Sequence, residues 1–207
     1  VKGKPARETL LAALERFERE SRVDGAGGKR AIDLGCGEGR DTAELVARGW
    51  RVLALDGHPE GIARTLERLG PEARGRVEAR VARFEDLADG SWKAGEGEGV
   101  EDGGWDGGWE LVNASFALPF CAPERFGAVW RWVVGAITPG GRFCGQLFGD
   151  RDEWATIADR THHRRGELDG LFAGFVLEEL REEEKDSPEV SGRVKHWHVF
   201  HVVARKM

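Results

Sequence analysis

The stretch Ala31-Ile32-Asp33-Leu34-Gly35-Cys36-Gly37-Glu38-Gly39 constrains this chain more than any other feature. Apolar residues from Arg30 to Leu34 read as a buried strand. Gly35, Gly37 and Gly39 then let the backbone turn tightly and let a ligand approach with no Cβ in the way. A helix beginning just after such a turn has unpaired N–H groups at its start, which suit a negatively charged or polar ligand end. A second short strand, Arg51 to Leu55, ends at Asp56, and a helix from Pro59 to Leu69 follows, with Pro59 at its start and Gly70 just past its end. Thr42 to Arg48 reads as the intervening helix, and Val77 to Phe84 as a third strand. This β-α-β-α-β rhythm is that of an α/β protein with a parallel sheet.

The rest of the chain continues the pattern. Trp109 to Asn113 is predicted as a fourth strand, Pro123 to Ile137 as a helix, and Arg142 to Phe148 as a fifth strand after the turn Thr138-Pro139-Gly140-Gly141. Trp154 to Arg164 is expected to be helical. Phe175 to Leu180 and Trp197 to Val203 read as two closing strands, antiparallel, with the charged Arg181 to Gly192 as their connection. Ahead of the first strand, Leu10, Leu11, Leu14 and Phe17 recur at helical spacing. The expected organisation is an N-terminal helical segment over 1–28 and one domain over 29–207. Within the domain, 90–108 is a solvated insertion of eight glycines mixed with acids; with Trp92, Trp105 and Trp109 in or beside it, it also reads as a lid.

Ligand chemistry can be narrowed by elimination. The dinucleotide pattern G-x-G-x-x-G requires a glycine where Arg40 stands, and no Gly-Lys-Ser/Thr follows as in a phosphate loop. What remains is D-x-G-x-G-x-G with an acid at the end of the second strand. Asp56 is placed to accept from both hydroxyls of a ribose, and Asp33 to orient backbone donors or meet a cationic ligand group. The chain has no tyrosine among its 207 residues, which rules out a tyrosine acid or base. Its net charge of −6 and lack of a long basic run argue against a nucleic-acid groove. No apolar run reaches the 18 or so residues of a membrane span, and Val1 to Thr9 lacks a signal-peptide core. Cys36, Cys121 and Cys144 form no CxxC pair, so a reducing cytoplasmic setting is expected.

These residues resemble a known family. Ile32-Asp33-Leu34-Gly35-Cys36-Gly37-Glu38-Gly39 is similar to the first motif of class I S-adenosylmethionine-dependent methyltransferases, Leu53-Ala54-Leu55-Asp56 to their second, and Thr138-Pro139-Gly140-Gly141-Arg142-Phe143 to the turn before their fifth strand. The likeness extends from about Lys29 to Lys206, and within the family it leans to the small bacterial tellurite-resistance-type branch. The resemblance implies a seven-stranded, mostly parallel Rossmann-like sheet of order 3-2-1-4-5-7-6, with strand 7 antiparallel and helices on both faces. It implies S-adenosyl-L-methionine as cofactor, S-adenosyl-L-homocysteine as product and a small-molecule acceptor. The cofactor site would comprise Asp33, Gly35, Cys36, Gly37, Gly39, Asp56, Gly57, Asn113 and Ala114, with Phe84 and Glu85 at the adenine.

Methyl transfer from a sulfonium is an in-line displacement, so much of the catalytic task is positioning and water exclusion. Phe116 and Phe120, just after the fourth strand, and Trp154 are candidates for the acceptor pocket. Arg151 is a candidate clamp for an acceptor carboxylate and equally reads as a surface charge. Where the acceptor arrives protonated, the expected base is His162 or His163; beside Arg164 and Arg165 the same pair also reads as solvated surface. His196 and His198 share one strand face, but no third or fourth ligand lies at suitable spacing, and no metal is expected. A monomer or homodimer is expected. The competing readings are a cofactor-binding protein without turnover and a nicotinamide-dependent reductase.

Overall fold

The computed structural model describes residues 4–24, 28–73, 75–89, 108–188 and 191–207. The glycine-rich segment 90–107, with Trp92 and Trp105, lies outside them, and with it the insertion and lid readings. The elements run α1 (Glu8–Asp24), β1 (Arg30–Leu34), α2 (Arg40–Ala47), β2 (Arg51–Asp56), α3 (Pro59–Leu69), β3 (Val77–Val81), α4 (Phe84–Asp89), β4 (Trp109–Ala114), α5 (Pro123–Ala136), β5 (Ile137–Gly149), β6 (His162–His163), α6 (Leu168–Leu171), β7 (Phe175–Pro188) and β8 (Val194–Lys206).

Eight described strands form one sheet of order β3-β2-β1-β4-β5-β8-β7, with β6 added beside β5. β1 to β5 run parallel, and β8 is antiparallel to β5 and β7. With β7 and β8 as the sixth and seventh strands of the expected scheme, the order is 3-2-1-4-5-7-6. The eighth strand is a correction to the expected seven. β4 stops pairing at Ala114 opposite Gly145, which leaves the edge of β5 open further on. β6 fills that edge by pairing with Phe148 and Gly149, because buried backbone groups must find partners.

Strand alternation divides the core into two layers. On one face Ile32, Leu53, Val112 and Phe143 pack under α5 through Phe126, Val129, Trp130 and Val133. On the other, Ala31, Val52, Leu111 and Cys144 meet α1 and α2 through Leu10, Leu14, Phe17 and Leu45. The helical spacing of Leu10, Leu14 and Phe17 therefore seats α1 on the sheet. Arg142 of β5, 1% exposed, fixes that seat: its guanidinium pairs with Glu20 at 2.5 Å and Glu178 at 2.7 Å and lies 4.5 Å over the Phe17 ring.

Three expectations are corrected. Trp154–Arg164 is not a helix. Asp152 accepts from the Trp154 N–H at 2.9 Å and caps a single 3-10 turn over Glu153–Thr156, after which the chain turns back to form β6. The third strand ends at Val81, and Phe84 opens α4 instead. Arg181 to Pro188 is strand rather than connection. Its charges are satisfied on the hairpin itself, where Glu183 pairs with Arg181 at 2.7 Å and Lys185 at 2.8 Å, and Glu184 meets His196 at 3.1 Å, and opposite charges side by side suit an exposed edge.

Candidate functional site

Parallel register assembles the site. Leu34 pairs with Leu55 and Asp56 with Val81, so Gly35, Asp56 and the segment after β3 reach the same edge of the sheet together. There they enclose a cavity of about 570 Å³ lined by Gly35, Asp56, Gly57, Phe84 and Glu85 along with His58, Arg83, Ala117 and Phe120. Gly35 has φ +75°, and a Cβ there would collide with the Cβ of Ala117. The N–H groups of Gly35 and Cys36 both donate to the Leu55 carbonyl, at 2.7 and 2.9 Å, so the loop is tied to β2.

Asp56 has two functions at once. Oδ2 accepts the Gly37 N–H at 2.9 Å and Oδ1 accepts the His58 N–H at 2.8 Å. Each oxygen keeps acceptor capacity beyond these bonds, and Asp56 lines the cavity. Gly61 in α3 is required by the same carboxylate, since a Cβ there would sit 2.9 Å from Asp56 Cγ.

Asp33 lies behind the loop, not in the cavity. It is fully buried and accepts from Thr42 Oγ1 at 2.5 Å and Asn113 Nδ2 at 2.8 Å. Burial first, and the nearby Asp41 carboxylate second, push its carboxyl up to about 7. Asn113 also donates to Asp41 at 3.1 Å, and Asp41 accepts the Arg7 N–H at 3.0 Å. A continuous polar chain therefore joins the glycine loop to the segment preceding α1.

That segment roofs a second cavity of about 830 Å³. Phe116, Phe120, Phe148, Trp154 and Trp197 line it, and Phe116 and Phe120 also line the smaller cavity, so the two spaces share a wall. Phe116 has φ +53°, uncommon for a residue with a side chain and often found at working sites. Its N–H donates to Gln146 Oε1 at 3.2 Å, the Arg7 guanidinium lies 4.5 Å over its ring, and His201 meets it edge-on at 6.5 Å. Beneath the aromatic wall Lys195 and Asp152, both 0% exposed, pair at 2.5 Å, and the ammonium sits 3.6 Å from the Trp197 ring centre and 4.4 Å from that of Trp154.

The structure brings together Gly35, Asp56, Gly57, Phe84 and Glu85 at one cavity and Phe116, Phe120 and Trp154 at the other. Five other predicted cofactor positions act from behind. Cys36 is buried against Ala54 and Ile62, Gly39 packs on Thr65, Gly37 anchors Asp56, and Asn113 and Ala114 are fully buried in β4. The predicted bases are a correction. His162 and His163 sit on β6 and line neither cavity. The His163 ring is 4.7 Å from Phe126, and burial pushes it down to about 4. Of the two readings of Arg151 the structure has the surface charge: it pairs with Glu182 at 2.8 Å and Glu184 at 2.7 Å on the exposed hairpin edge. Sequence reasoning missed Arg7 and Gln146, because contacts 30 to 140 residues apart leave no local signal.

Comparison with known proteins agrees with this geometry. A family model described as a methyltransferase domain matches residues 31–95. Over 65 residues the chain is 43% identical to the magnesium-protoporphyrin O-methyltransferase of Rhodobacter capsulatus, a match spanning 31% of this chain and 29% of that protein. Among solved structures, TehB from Haemophilus influenzae superposes with a TM-score of 0.68 at 14% identity, over 93% of this chain and 62% of TehB. The magnesium protoporphyrin IX methyltransferase of Synechocystis, with bound S-adenosyl-L-homocysteine, superposes with a TM-score of 0.62 at 12% identity, over 96% and 83%. At these identities the structural likeness is one of fold.

Proposed function

We propose that this chain, which carries a methyltransferase domain on a class I fold, binds S-adenosyl-L-methionine in the smaller cavity and methylates a small molecule held in the larger one. The observation that carries the reading is the pair of cavities meeting at Phe116 and Phe120, with Asp56 and the glycine loop on one side and an aromatic chamber on the other.

The residues present fit the cofactor. Gly35 leaves the loop bare of a Cβ at the cavity wall, and Asp56 offers two carboxylate oxygens already fixed by backbone N–H groups. In this reading Asp56 holds the ribose hydroxyls, Phe84 and Glu85 border the adenine, and Gly35 and Gly57 admit the backbone of the ligand closely. Bound there, S-adenosyl-L-methionine supplies an electrophilic methyl group.

Phe116 and Phe120 form the wall at which cofactor and acceptor meet, and their rings keep water out of it. Phe148, Trp154 and Trp197 orient the acceptor from the far side. Holding two reactants in line accounts for much of the rate of such a displacement. The three free, buried cysteines suit a reducing, cytoplasmic setting. Incubation with S-adenosyl-L-methionine and a panel of aromatic and aliphatic acceptors, with mass detection of methylated product, tests the reading. Product from the wild type and at least tenfold less from Phe120→Asp supports it. Equal product from both contradicts it.

A further inference from the structure

We propose that the larger cavity binds a flat aromatic acid, with its ring on the wall formed by Phe148, Trp154 and Trp197 and its carboxylate between Arg7 and His201, beside Phe116. This rests on the reading of that cavity as the acceptor site and names the acceptor class.

Charge is the first argument. Five basic side chains line the cavity against two carboxylates, Glu8 and Glu183. Glu183 is already engaged by Arg181 at 2.7 Å and Lys185 at 2.8 Å, and Glu8 by Arg181 at 3.1 Å. The cations left over at the Arg7 end are Lys4, Arg7 and Arg40, and Arg40 already lies 3.7 Å from Asp41.

Two polar atoms at that end make no hydrogen bond among the described residues, although His201 Nε2 lies 3.9 Å from a Glu183 oxygen. Arg7 Nε and His201 Nε2 are both buried without a hydrogen bond. Such groups are costly unless something completes them. Both side chains flank the same ring, with the Arg7 guanidinium 4.5 Å above Phe116 and His201 edge-on at 6.5 Å. Burial, then the neighbouring Arg40, lower the Arg7 pKa, so an arriving anion relieves an unfavourable charge. Burial, then Arg181, push His201 down to about 4, which leaves a neutral imidazole with one N–H to donate. One guanidinium beside one neutral imidazole matches a monoanion better than a phosphate dianion.

Shape is the second argument. The remaining wall is aromatic, with Phe148, Trp154 and Trp197 in mutual contact at 5.6 to 6.0 Å between ring centres. Offset and edge-on ring contacts favour a flat aromatic ligand over an aliphatic chain. The carboxylate would then lie at the wall shared with the smaller cavity, so its oxygen is the atom presented for methylation, and a carboxylate needs no base.

The test uses the full chain, with and without saturating S-adenosyl-L-homocysteine. Pyrene-1-carboxylate, pyrene-1-carboxamide, pyrene-1-methylammonium and decanoate are titrated by calorimetry, and the pyrenes also by energy transfer from tryptophan. The expected result is carboxylate binding at least tenfold tighter than carboxamide and decanoate, with the ammonium weakest. Arg7→Met should bring carboxylate and carboxamide within twofold, with S-adenosyl-L-homocysteine affinity unchanged. His201→Phe should weaken the carboxylate alone, by at least threefold. Equal wild-type affinity for carboxylate and carboxamide, no binding of the carboxylate, or a preference that survives Arg7→Met overturns the proposal. Absence of S-adenosyl-L-homocysteine binding instead removes the cofactor reading, and the panel without it still decides the ligand class.

Discussion

The Gly37 N–H donates to Asp56 Oδ2 at 2.9 Å, so the glycine loop and the acid ending β2 form one unit, not two neighbouring motifs. A change at either residue is therefore read in both.

Asp56→Ala should cost both the ribose contact and the loop anchor. Hydrogen bonds to a charged group contribute about 1.5–3 kcal/mol each. The expected loss of S-adenosyl-L-homocysteine affinity is about 10- to 100-fold by calorimetry. Asp56→Asn, which still accepts one N–H, should lose less. Unchanged affinity in both variants would remove Asp56 from the site.

Gly35 and Gly37 both have positive φ, at +75° and +55°, but only Gly35 has a neighbour in the way. Left-handed backbone alone costs a side chain about 1–2 kcal/mol. Gly37→Ala should lose about that much in urea denaturation. Gly35→Ala must also displace Ala117 and should lose more, along with cofactor affinity. Equal losses would show that the Ala117 contact carries no weight.

Asp33 gives a signed pH dependence. Its folded carboxyl is raised to about 7 by burial and Asp41, above its ordinary value of 3.8. Between those values the folded protein keeps a proton that the unfolded chain has lost, so this group's contribution falls as pH rises through the window. Asp33→Asn has no proton to lose. Its melting temperature relative to wild type should rise from pH 5 to pH 7, by about 2–4 °C for each kcal/mol, and level off near pH 8. His163 and His201, lowered to about 4, act in the opposite sense below their ordinary value of 6.5, but they do so in both proteins. Parallel curves for the two proteins would refute the assignment.

Lys195→Met leaves Asp152 buried without its cation, and breaking a buried pair typically costs about 3–5 kcal/mol. Chemical denaturation should show a loss of that size. The variant should also loosen Trp154 and Trp197, visible as altered tryptophan emission. A loss under about 1 kcal/mol would mean that the pair is neutral in the fold.

The sheet and the glycine-loop edge were legible because their signals are local. Gly35 to Gly39, Asp56 and Pro59 each announce a turn, a strand end or a helix start within a few residues. The two-residue β6 was not legible, since it exists only to close the edge that β4 leaves on β5. The charged run Arg181 to Pro188 read as a loop because an exposed edge strand and a solvated connection have the same composition. The larger cavity was hardest. Arg7 reaches Phe116 across more than a hundred residues, and His201 differs from His162, His163 and His198 only in what the fold places around it. Phe116 and Phe120, which line both cavities, stood out in the sequence because they directly follow a strand end, where open α/β sheets bind their ligands.

Calorimetric titration of the folded chain with S-adenosyl-L-methionine and S-adenosyl-L-homocysteine decides whether the cavity beside Asp56 takes this cofactor. Saturable one-to-one binding of both, weakened at least tenfold by Asp56→Ala in a variant with unchanged circular dichroism, is the predicted result. Folded protein that takes up neither compound would contradict it.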